Sequence, residues 1–260
     1  MKRVEVAIEA ANIAGAVIRG TNGADLNVQE KGSSRTSIVT AADLRSQQEV
    51  MRIIRRAFPH DLIVGEEGSD GASTSTSRWY VDPLDGTTNY AHRLPFYCVS
   101  IAYCDAHGVA TGVIYDPVRN EMFTAIRDGG ATLNGRSIMV SANTQLGSSL
   151  VSTQVQSDDA KALDRHTSRL RTFLGVARAV RSLGAPALAL AYVACGRLDA
   201  FFEDDMSPWD TLAGALLVEE AGGLVTTFAG QTRPIDQRVD ILATNGRLHH
   251  DMLAQLTSSN

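Results

Sequence analysis

The hydrophobic periodicity of this chain changes twice along its length, and the order of the changes limits the folds open to it. Apolar residues recur at helical spacing over residues 2–19 and again over 41–57. From about 79 to 140 the pattern is β-rich, and from 150 onward short apolar strands alternate with helical patterns. The sequence therefore predicts an α+β or mixed α/β fold in which helical layers pack against sheets.

Size and charge exclude several classes of protein. A chain of 260 residues, 44% of them hydrophobic, can bury a core without disulfide or metal support. The net charge of -5, with both signs interspersed, leaves no basic stripe for a nucleic-acid backbone. No apolar run approaches the roughly 18 to 20 residues of a membrane span, the start of the chain lacks a signal peptide, and the three cysteines show no C-x-x-C spacing. We therefore expect a soluble, cytoplasmic protein with no nucleic-acid partner.

The segment WYVDPLDGTTNY, residues 79–90, has the strongest chemical signal. A strand is predicted to end at Asp82, where a proline turn brings Asp85 close, so that two carboxylates can converge beyond the strand. Gly86 and Thr87 follow, at the start of a short helix or turn whose free N–H groups could hold a phosphate. Magnesium prefers oxygen ligands and often shares a substrate phosphate. A polar turn with Asp85 as a helix cap is the alternative interpretation.

Other acidic residues are ambiguous when taken alone. Glu66 and Glu67 follow a short apolar strand and could be surface charges. Asp43 and Asp210 each stand three residues after a helix N-cap, where an acid stabilises the helix without any further role. An apolar strand is predicted over 198–202. Residues 68–77, rich in Ser, Thr and Gly, are expected to be flexible, and a strand is expected over 131–140.

Taken together, these segments resemble the inositol monophosphatase family. The resemblance covers nearly the whole chain and includes SIVTAAD, GEE, WYVDPLDGTTNYAHRLPFYCVSIAY, GVIYDPVRNEMFTA, AYVACGRLDAFFE and PWDTLAGALLVEEAGG. It implies a layered α-β-α-β-α sandwich, a single domain over 1–260 with lobes at 1–145 (helices and a large antiparallel sheet) and 146–260 (smaller, α/β), and a homodimer.

The resemblance also implies a metal site and a set of roles. Two to three magnesium ions would be held by carboxylates and one backbone carbonyl, namely Glu66, Asp82, Asp85, Asp210 and the carbonyl of Leu84. Asp82 would bridge two ions, and Glu67 would support the site from behind. The implied catalytic residues are Asp43, Glu66 and Thr87. The implied substrate contacts are Asp85, Gly86, Thr87, Gly184, Glu203 and Asp210. No role is carried over to Lys31, because the loop around it differs in length.

The implied reaction is hydrolysis of myo-inositol monophosphate by a magnesium-activated water, with inhibition by lithium. Histidinol phosphate and sugar bisphosphates such as fructose 1,6-bisphosphate are alternative substrates, and a catalytically inactive regulatory binding protein is a remote alternative. Glu203 is the residue that the resemblance connects with ring hydroxyls. Its alternative is a solvated acidic rim made of Glu203, Asp204 and Asp205.

Overall fold

The computed structural model describes residues 2–21, 26–32, 34–71, 75–155 and 157–258. Parts of the loop around Lys31 and of the Ser/Thr-rich run lie outside these residues. The helices are α1 (Arg3–Gly20), α2 (Ala41–Ala57), α3 (Thr87–Ala91), α4 (Ala160–Val176), α5 (Pro186–Ala194), α6 (Pro208–Glu220) and α7 (His249–Ser258). No described helix combines the length and apolar content that a membrane span requires.

The strands form two main sheets and one short ladder. The large sheet has the order β10-β9-β8-β7-β6-β5-β3-β4, the smaller one β12-β11-β13-β15-β14, and β1 pairs with β2. Their bounds are β1 (Gln29–Glu30), β2 (Ile38–Val39), β3 (Leu62–Gly65), β4 (Gly68–Asp70), β5 (Arg78–Asp85), β6 (Cys98–Asp105), β7 (Gly108–Asp116), β8 (Glu121–Ile126), β9 (Gly130–Leu133), β10 (Arg136–Ser137), β11 (Leu150–Ser152), β12 (Ala179–Arg181), β13 (Ala200–Met206), β14 (Leu224–Thr226) and β15 (Val239–Thr244).

Helices and sheets alternate in five layers. Helices α1 and α2 pack on one face of the large sheet, where they bury Ala7, Ala14 and Ile54 against Trp79. Helices α5 and α6 fill the space between the two sheets. On the far face of the smaller sheet, α4 and α7 pack through an apolar cluster that includes Phe173. The mixed α/β fold with an α-β-α-β-α arrangement is therefore confirmed.

The strand that bears Asp82 does not end there, contrary to the sequence prediction. Strand β5 continues to Asp85 and pairs with β6, with Asp82 opposite Ser100 and Asp85 opposite Cys98. Three steps along β5 therefore match two along β6, which is a bulge of one residue. Because side chains alternate between faces, the extra residue brings Asp85 back to the face that Asp82 uses. The bulge also accommodates the proline, which has no N–H to donate.

Three other predicted boundaries are wrong because pairing continues or stops elsewhere. The strand expected at 198–202 is β13, which runs past Glu203 because its pairing with β15 extends to Met206. The segment expected to be flexible begins with β4, which pairs with β3 through a tight turn. The strand expected over 131–140 is the β9–β10 hairpin followed by chain without strand pairing.

Candidate active site

Four acidic residues from three parts of the fold line one small cavity. Asp82 and Asp85 come from the bulged end of β5, Glu66 from the turn after β3, and Asp210 from the first turn of α6. The cavity has a volume of about 240 Å³, and the start of α3 completes its wall. The structure thus places the residues that the sequence assigned to metal binding, including Leu84, around a single space.

The two aspartates of β5 are almost fully buried, with exposed fractions of 2% for Asp82 and 3% for Asp85. The Leu84 N–H donates to Asp82 Oδ1 at 2.9 Å. Burial raises the pKa of Asp82 well above its usual value, and the negative charges of Glu66, Asp85 and Asp210 raise it further. Burial and the charge of Asp210 act in the same way on the pKa of Asp85. The cavity therefore favours whatever neutralises these carboxylates, whether protons or a cation.

Asp210 combines a capping role with a place in the cavity. It forms a capping box with Ser207, whose N–H donates to Asp210 Oδ2 at 3.2 Å. Burial raises the pKa of Asp210 to about 7, with the charge of Glu66 contributing. Asp210 can therefore cap α6 and also present an oxygen to the acidic cavity, since a carboxyl group has more than one acceptor site.

Asp43 and Thr87 form a hydrogen-bonded pair behind the cavity wall. Asp43 is fully buried, and its Oδ2 accepts the N–H of Thr40 at 2.9 Å in the capping box of α2. Its Oδ1 lies 2.9 Å from the Thr87 hydroxyl, which is also 3.0 Å from the carbonyl oxygen of Leu84. Burial raises the pKa of Asp43. Because the hydroxyl has one proton, it donates to only one of these acceptors at a time.

Lys31, which received no role from the sequence, pairs with both glutamates. Its Nζ lies 2.7 Å from Glu66 Oε1 and also contacts Glu67 Oε1. Burial lowers the pKa of Lys31, but the charges and hydrogen bonds of Glu66 and Glu67 outweigh burial and raise it. The ammonium group therefore stays charged and neutralises part of the acidic cluster. The sequence contained no signal for this contact beyond a cation in a neighbouring loop.

Two glycines allow the backbone to approach the cavity closely. Gly86 has a φ of +93°, and a Cβ at this position would stand 3.0 Å from the Phe96 carbonyl oxygen. Gly184 has a φ of +75°, and a Cβ there would stand 2.9 Å from the Asn89 amide nitrogen. Both line the cavity, as the sequence expected of substrate contacts, and any other residue would be strained at either position.

Glu203 lies in a second, larger chamber that adjoins the first. This chamber has a volume of about 670 Å³ and shares Gln154, Met206 and Asp210 with the smaller cavity. Glu203 is 6% exposed and accepts hydrogen bonds from the Gln154 N–H and from the Thr153 hydroxyl at 3.3 Å.

The solvated acidic rim considered from the sequence is therefore wrong for Glu203. Burial raises its pKa to about 8, so its carboxyl group carries a proton near neutral pH. Asp204 contacts Arg169 in an ion pair, and only Asp205, whose side chain is 74% exposed, fits the description of a rim.

The donor set suits a hard divalent cation, although its side chains are not gathered around one. Among the described residues no three His, Cys, Asp or Glu side chains are arranged to hold a metal ion. Asp85 Oδ2 accepts the Leu188 N–H at 3.2 Å and Glu66 Oε1 pairs with Lys31, so one oxygen of each of these carboxylates already has a protein partner. The chemistry nevertheless fits, because these are oxygen donors whose raised pKa values a cation would relieve.

Several residues that shape the site were missed by the sequence interpretation. Ser46 Oγ donates to the Pro83 carbonyl at 2.8 Å, and Gln47 Oε1 accepts the Glu67 N–H at 3.0 Å. Ser46 lies three residues and Gln47 four residues after Asp43, on the buried face of α2. Polar residues repeating at helical spacing on a buried face were the signal that could have identified them.

The chain is similar to known proteins over its full length. The model of the inositol monophosphatase family matches residues 2–260. The chain is 41% identical to inositol monophosphatase 2 of Solanum lycopersicum over 98% of each chain. It is 42% identical to the Nus factor SuhB of Pseudomonas aeruginosa, over 87% of this chain and 86% of that protein.

Solved structures agree with these sequence relatives. The inositol monophosphatase of Anabaena (Nostoc) sp. PCC 7120 has a TM-score of 0.86 and 40% identity, covering 98% of this chain and 95% of that chain. The extragenic suppressor protein suhB of Bartonella henselae has a TM-score of 0.91 and 34% identity, covering 97% of each.

Proposed function

The chain belongs to the inositol monophosphatase family and is a phosphoric monoester hydrolase, and on that premise we propose that it hydrolyses myo-inositol monophosphate with magnesium. The observation that supports the proposal best is the pair of adjoining spaces. A small acidic cavity suits the phosphate and its cations, and the larger chamber beside it suits the alcohol part of the substrate. The family is generally metal-dependent, and the identity and number of the ions are part of the proposal.

The chain would hold one ion on Glu66, Asp82 and the Leu84 carbonyl, and a second on Asp82, Asp85 and Asp210. A third, weaker ion would lie near Glu66. Magnesium there would activate a water molecule and neutralise the charge on the phosphate oxygens. Glu66 would take part through Oε2, because its contact with Lys31 uses Oε1.

The attacking water would be oriented by Thr87 and Asp43. When the Thr87 hydroxyl donates its hydrogen bond to Asp43 Oδ1, its oxygen keeps lone pairs that can accept a hydrogen bond from water. With its proton directed at Asp43, the Thr87 hydroxyl does not donate to the Leu84 carbonyl oxygen, which is then available as a cation ligand. The backbone N–H groups of Gly86 and Thr87 would bind phosphate oxygens, since both residues line the acidic cavity.

The alcohol part of the substrate would contact Glu203 in the larger chamber. A protonated carboxyl group has one donor and spare acceptor capacity, so it can pair with two neighbouring ring hydroxyls. This favours a cyclitol or sugar over a leaving group without hydroxyls. Histidinol phosphate and fructose 1,6-bisphosphate remain the alternative substrates, and comparing the rates of phosphate release from each ester separates them.

Phosphate release by the purified protein tests the function. We expect inositol 1-phosphate to be cleaved with a higher kcat/KM than histidinol phosphate, fructose 1,6-bisphosphate or adenosine 3',5'-bisphosphate. A chelator should abolish the reaction, magnesium should restore it and lithium should inhibit it. Full activity in excess chelator would refute the metal dependence. A higher kcat/KM for another of these esters would make that ester the proposed substrate in place of inositol 1-phosphate.

Glu203→Ala tests the hydroxyl contact. We expect kcat/KM for inositol 1-phosphate to fall roughly tenfold or more, while hydrolysis of a plain aryl phosphate stays nearly unchanged. Asp251→Ala is the control, because Asp251 is an exposed acid of α7 that lines neither the acidic cavity nor the larger chamber. Equal losses on both substrates would mean that Glu203 supports the site rather than reading the ring.

The name of the Pseudomonas relative raises the alternative of a regulatory protein. A catalytically inactive member would be expected to lack at least one cavity carboxylate. All four stand in the cavity wall here, which favours the hydrolase. Failure to release phosphate from any of the four esters with magnesium would favour the regulatory alternative.

A further inference from the structure

We propose that Cys98 is a positioning residue for Asp85, holding one of its carboxylate oxygens so that the other is presented to the cation cavity. The inference rests on the proposed function in one respect, that Asp85 is a cation ligand. It adds a residue to which the sequence analysis gave no role, and it assigns a role to a buried thiol that otherwise only fills space.

The bulge in β5 creates the contact. Because one extra residue stands between Asp82 and Asp85, Asp85 comes to lie directly opposite Cys98 on β6. Cys98 is fully buried, and its Sγ lies 3.4 Å from Asp85 Oδ2. An ionised carboxylate can only accept, so the thiol is the donor.

A second donor approaches the same oxygen from another layer. The Leu188 N–H, in the first turn of α5, lies 3.2 Å from Asp85 Oδ2. One oxygen of Asp85 is therefore held by a strand on one side and by a helix on the other. Asp85 also lines the acidic cavity, so we infer that Oδ1 is the oxygen presented there.

The physical consequence is a carboxylate that does not have to be reoriented when a cation arrives. Outer partners of metal ligands fix ligand orientation, and their loss typically costs about 10- to 100-fold in metal affinity or activity. A thiol is a weak donor, and the Leu188 N–H remains after its removal. We therefore expect a smaller effect, roughly 3- to 10-fold in cation affinity.

The chain contains a matched control on the same strand. Cys104 is 3% exposed and lies six residues further along β6, or about 20 Å at the usual rise of a strand. It lines a different groove, with Arg233 and Ile235. Replacing it makes the same chemical change in the same sheet but away from Asp85.

The experiment compares Cys98→Ala, Cys98→Val, Cys98→Ser and Cys104→Ala in the full chain. The readouts are Mn²⁺ binding followed by electron paramagnetic resonance, magnesium activation of phosphate release, and thermal unfolding in chelator. Cys98→Ala and Cys98→Val both lack the donor and leave opposite packing errors, so one can replace the other if it does not fold. Cys98→Ser keeps a donor.

We expect both donor-free variants to raise the Mn²⁺ dissociation constant and the half-activating magnesium concentration roughly 3- to 10-fold, with kcat at saturating magnesium within about twofold of wild type. Cys98→Ser and Cys104→Ala should bind Mn²⁺ within about twofold of wild type. Unchanged binding in the donor-free variants would overturn the inference, as would a serine variant as weak as alanine or an equal shift in Cys104→Ala. Absence of saturable Mn²⁺ binding in the wild type would instead overturn the proposed function, and the inference with it.

Discussion

At the scale of single residues, we expect Asp82 to tolerate substitution poorly. It is buried, it is held by the Leu84 N–H, and the charges of three other acids surround it. We expect Asp82→Asn to lower kcat by roughly 10² to 10³ with the fold retained, because one preorganised charge in the site is removed. The measurement is phosphate release at saturating magnesium, with circular dichroism as the check on folding.

Asp116→Asn is the matched control for this substitution. Asp116 is an equally buried aspartate, but it pairs with Arg119 at 2.9 Å and lies outside the acidic cavity. Its variant should lose stability and keep most of its activity. If Asp82→Asn retained a tenth of wild-type activity, Asp82 would be a structural residue.

Glu203 leads to a prediction about stability and pH. Its pKa is about 8 in the folded chain and near 4.5 in the unfolded chain, so between these values the folded state binds more protons. Stability from this group is present at low pH and is lost as the pH rises toward 8. Glu203→Gln cannot ionise at this position. Between pH 6 and pH 9 we therefore expect its free energy of unfolding to fall by about 1 to 3 kcal/mol less than that of wild type.

Urea unfolding of both proteins in chelator, at a series of pH values, measures this difference. Groups that the two proteins share cancel in the comparison. Parallel pH profiles would show that Glu203 is ionised in the folded chain at neutral pH, and the protonated contact with ring hydroxyls would then have to be abandoned.

At the scale of elements, the segment 34–37 before β2 lines the site and is hydrogen-bonded to a residue that is distant in sequence. Asp158, just before α4, accepts the Ser34 hydroxyl at 2.7 Å and the Thr36 hydroxyl at 3.0 Å, and it lies 3.5 Å from the Arg35 guanidinium. Thr36 lines both the acidic cavity and the larger chamber. One carboxylate thus holds a segment of the chamber wall.

We expect Asp158→Ala to loosen this segment. Each lost exposed hydrogen bond contributes about 1 kcal/mol or less, so trypsin should cleave after Arg35 about 3- to 10-fold faster. Asp164→Ala, an exposed residue of α4, is the control. Cleavage rates followed by mass spectrometry decide the matter, and identical rates in the two variants would mean that Asp158 does not restrain the segment.

At the scale of the whole molecule, stability and cation binding are coupled. In chelator the free energy of unfolding should fall from about pH 4 to pH 7, because Asp210, with a pKa of about 7, keeps in the folded chain a proton that the unfolded chain loses near pH 4. A cation that binds only the folded chain should raise stability by about 2.7 kcal/mol at 100 times its dissociation constant.

Urea titrations with chelator and with magnesium measure this coupling. Magnesium should also flatten the pH dependence that comes from Asp210, while the part that comes from Glu203 should persist. If magnesium shifted neither the midpoint nor its pH dependence, the cavity would not be a cation site. The homodimer and the division into lobes at 1–145 and 146–260 stay predictions.

Much of the architecture could be predicted from the sequence because it depends on local chemistry. The N-cap residues three positions before Asp43 and Asp210 identified the starts of α2 and α6. Hydrophobic periodicity predicted the alternation of helices and sheets. The family resemblance, which the family model confirms, extended these local patterns to a layered fold.

The tertiary structure decided the features that depend on strand register and on burial. A one-residue bulge, visible only when β5 is paired with β6, puts Asp82 and Asp85 on one face and sets Asp85 against Cys98. Burial, not residue type, raises the pKa of Glu203 to about 8. Lys31 meets Glu66 from a loop of unfamiliar length. The sequence determined which groups are present, because residue type sets their chemistry; pairing between distant segments decided which groups touch and which of them are charged.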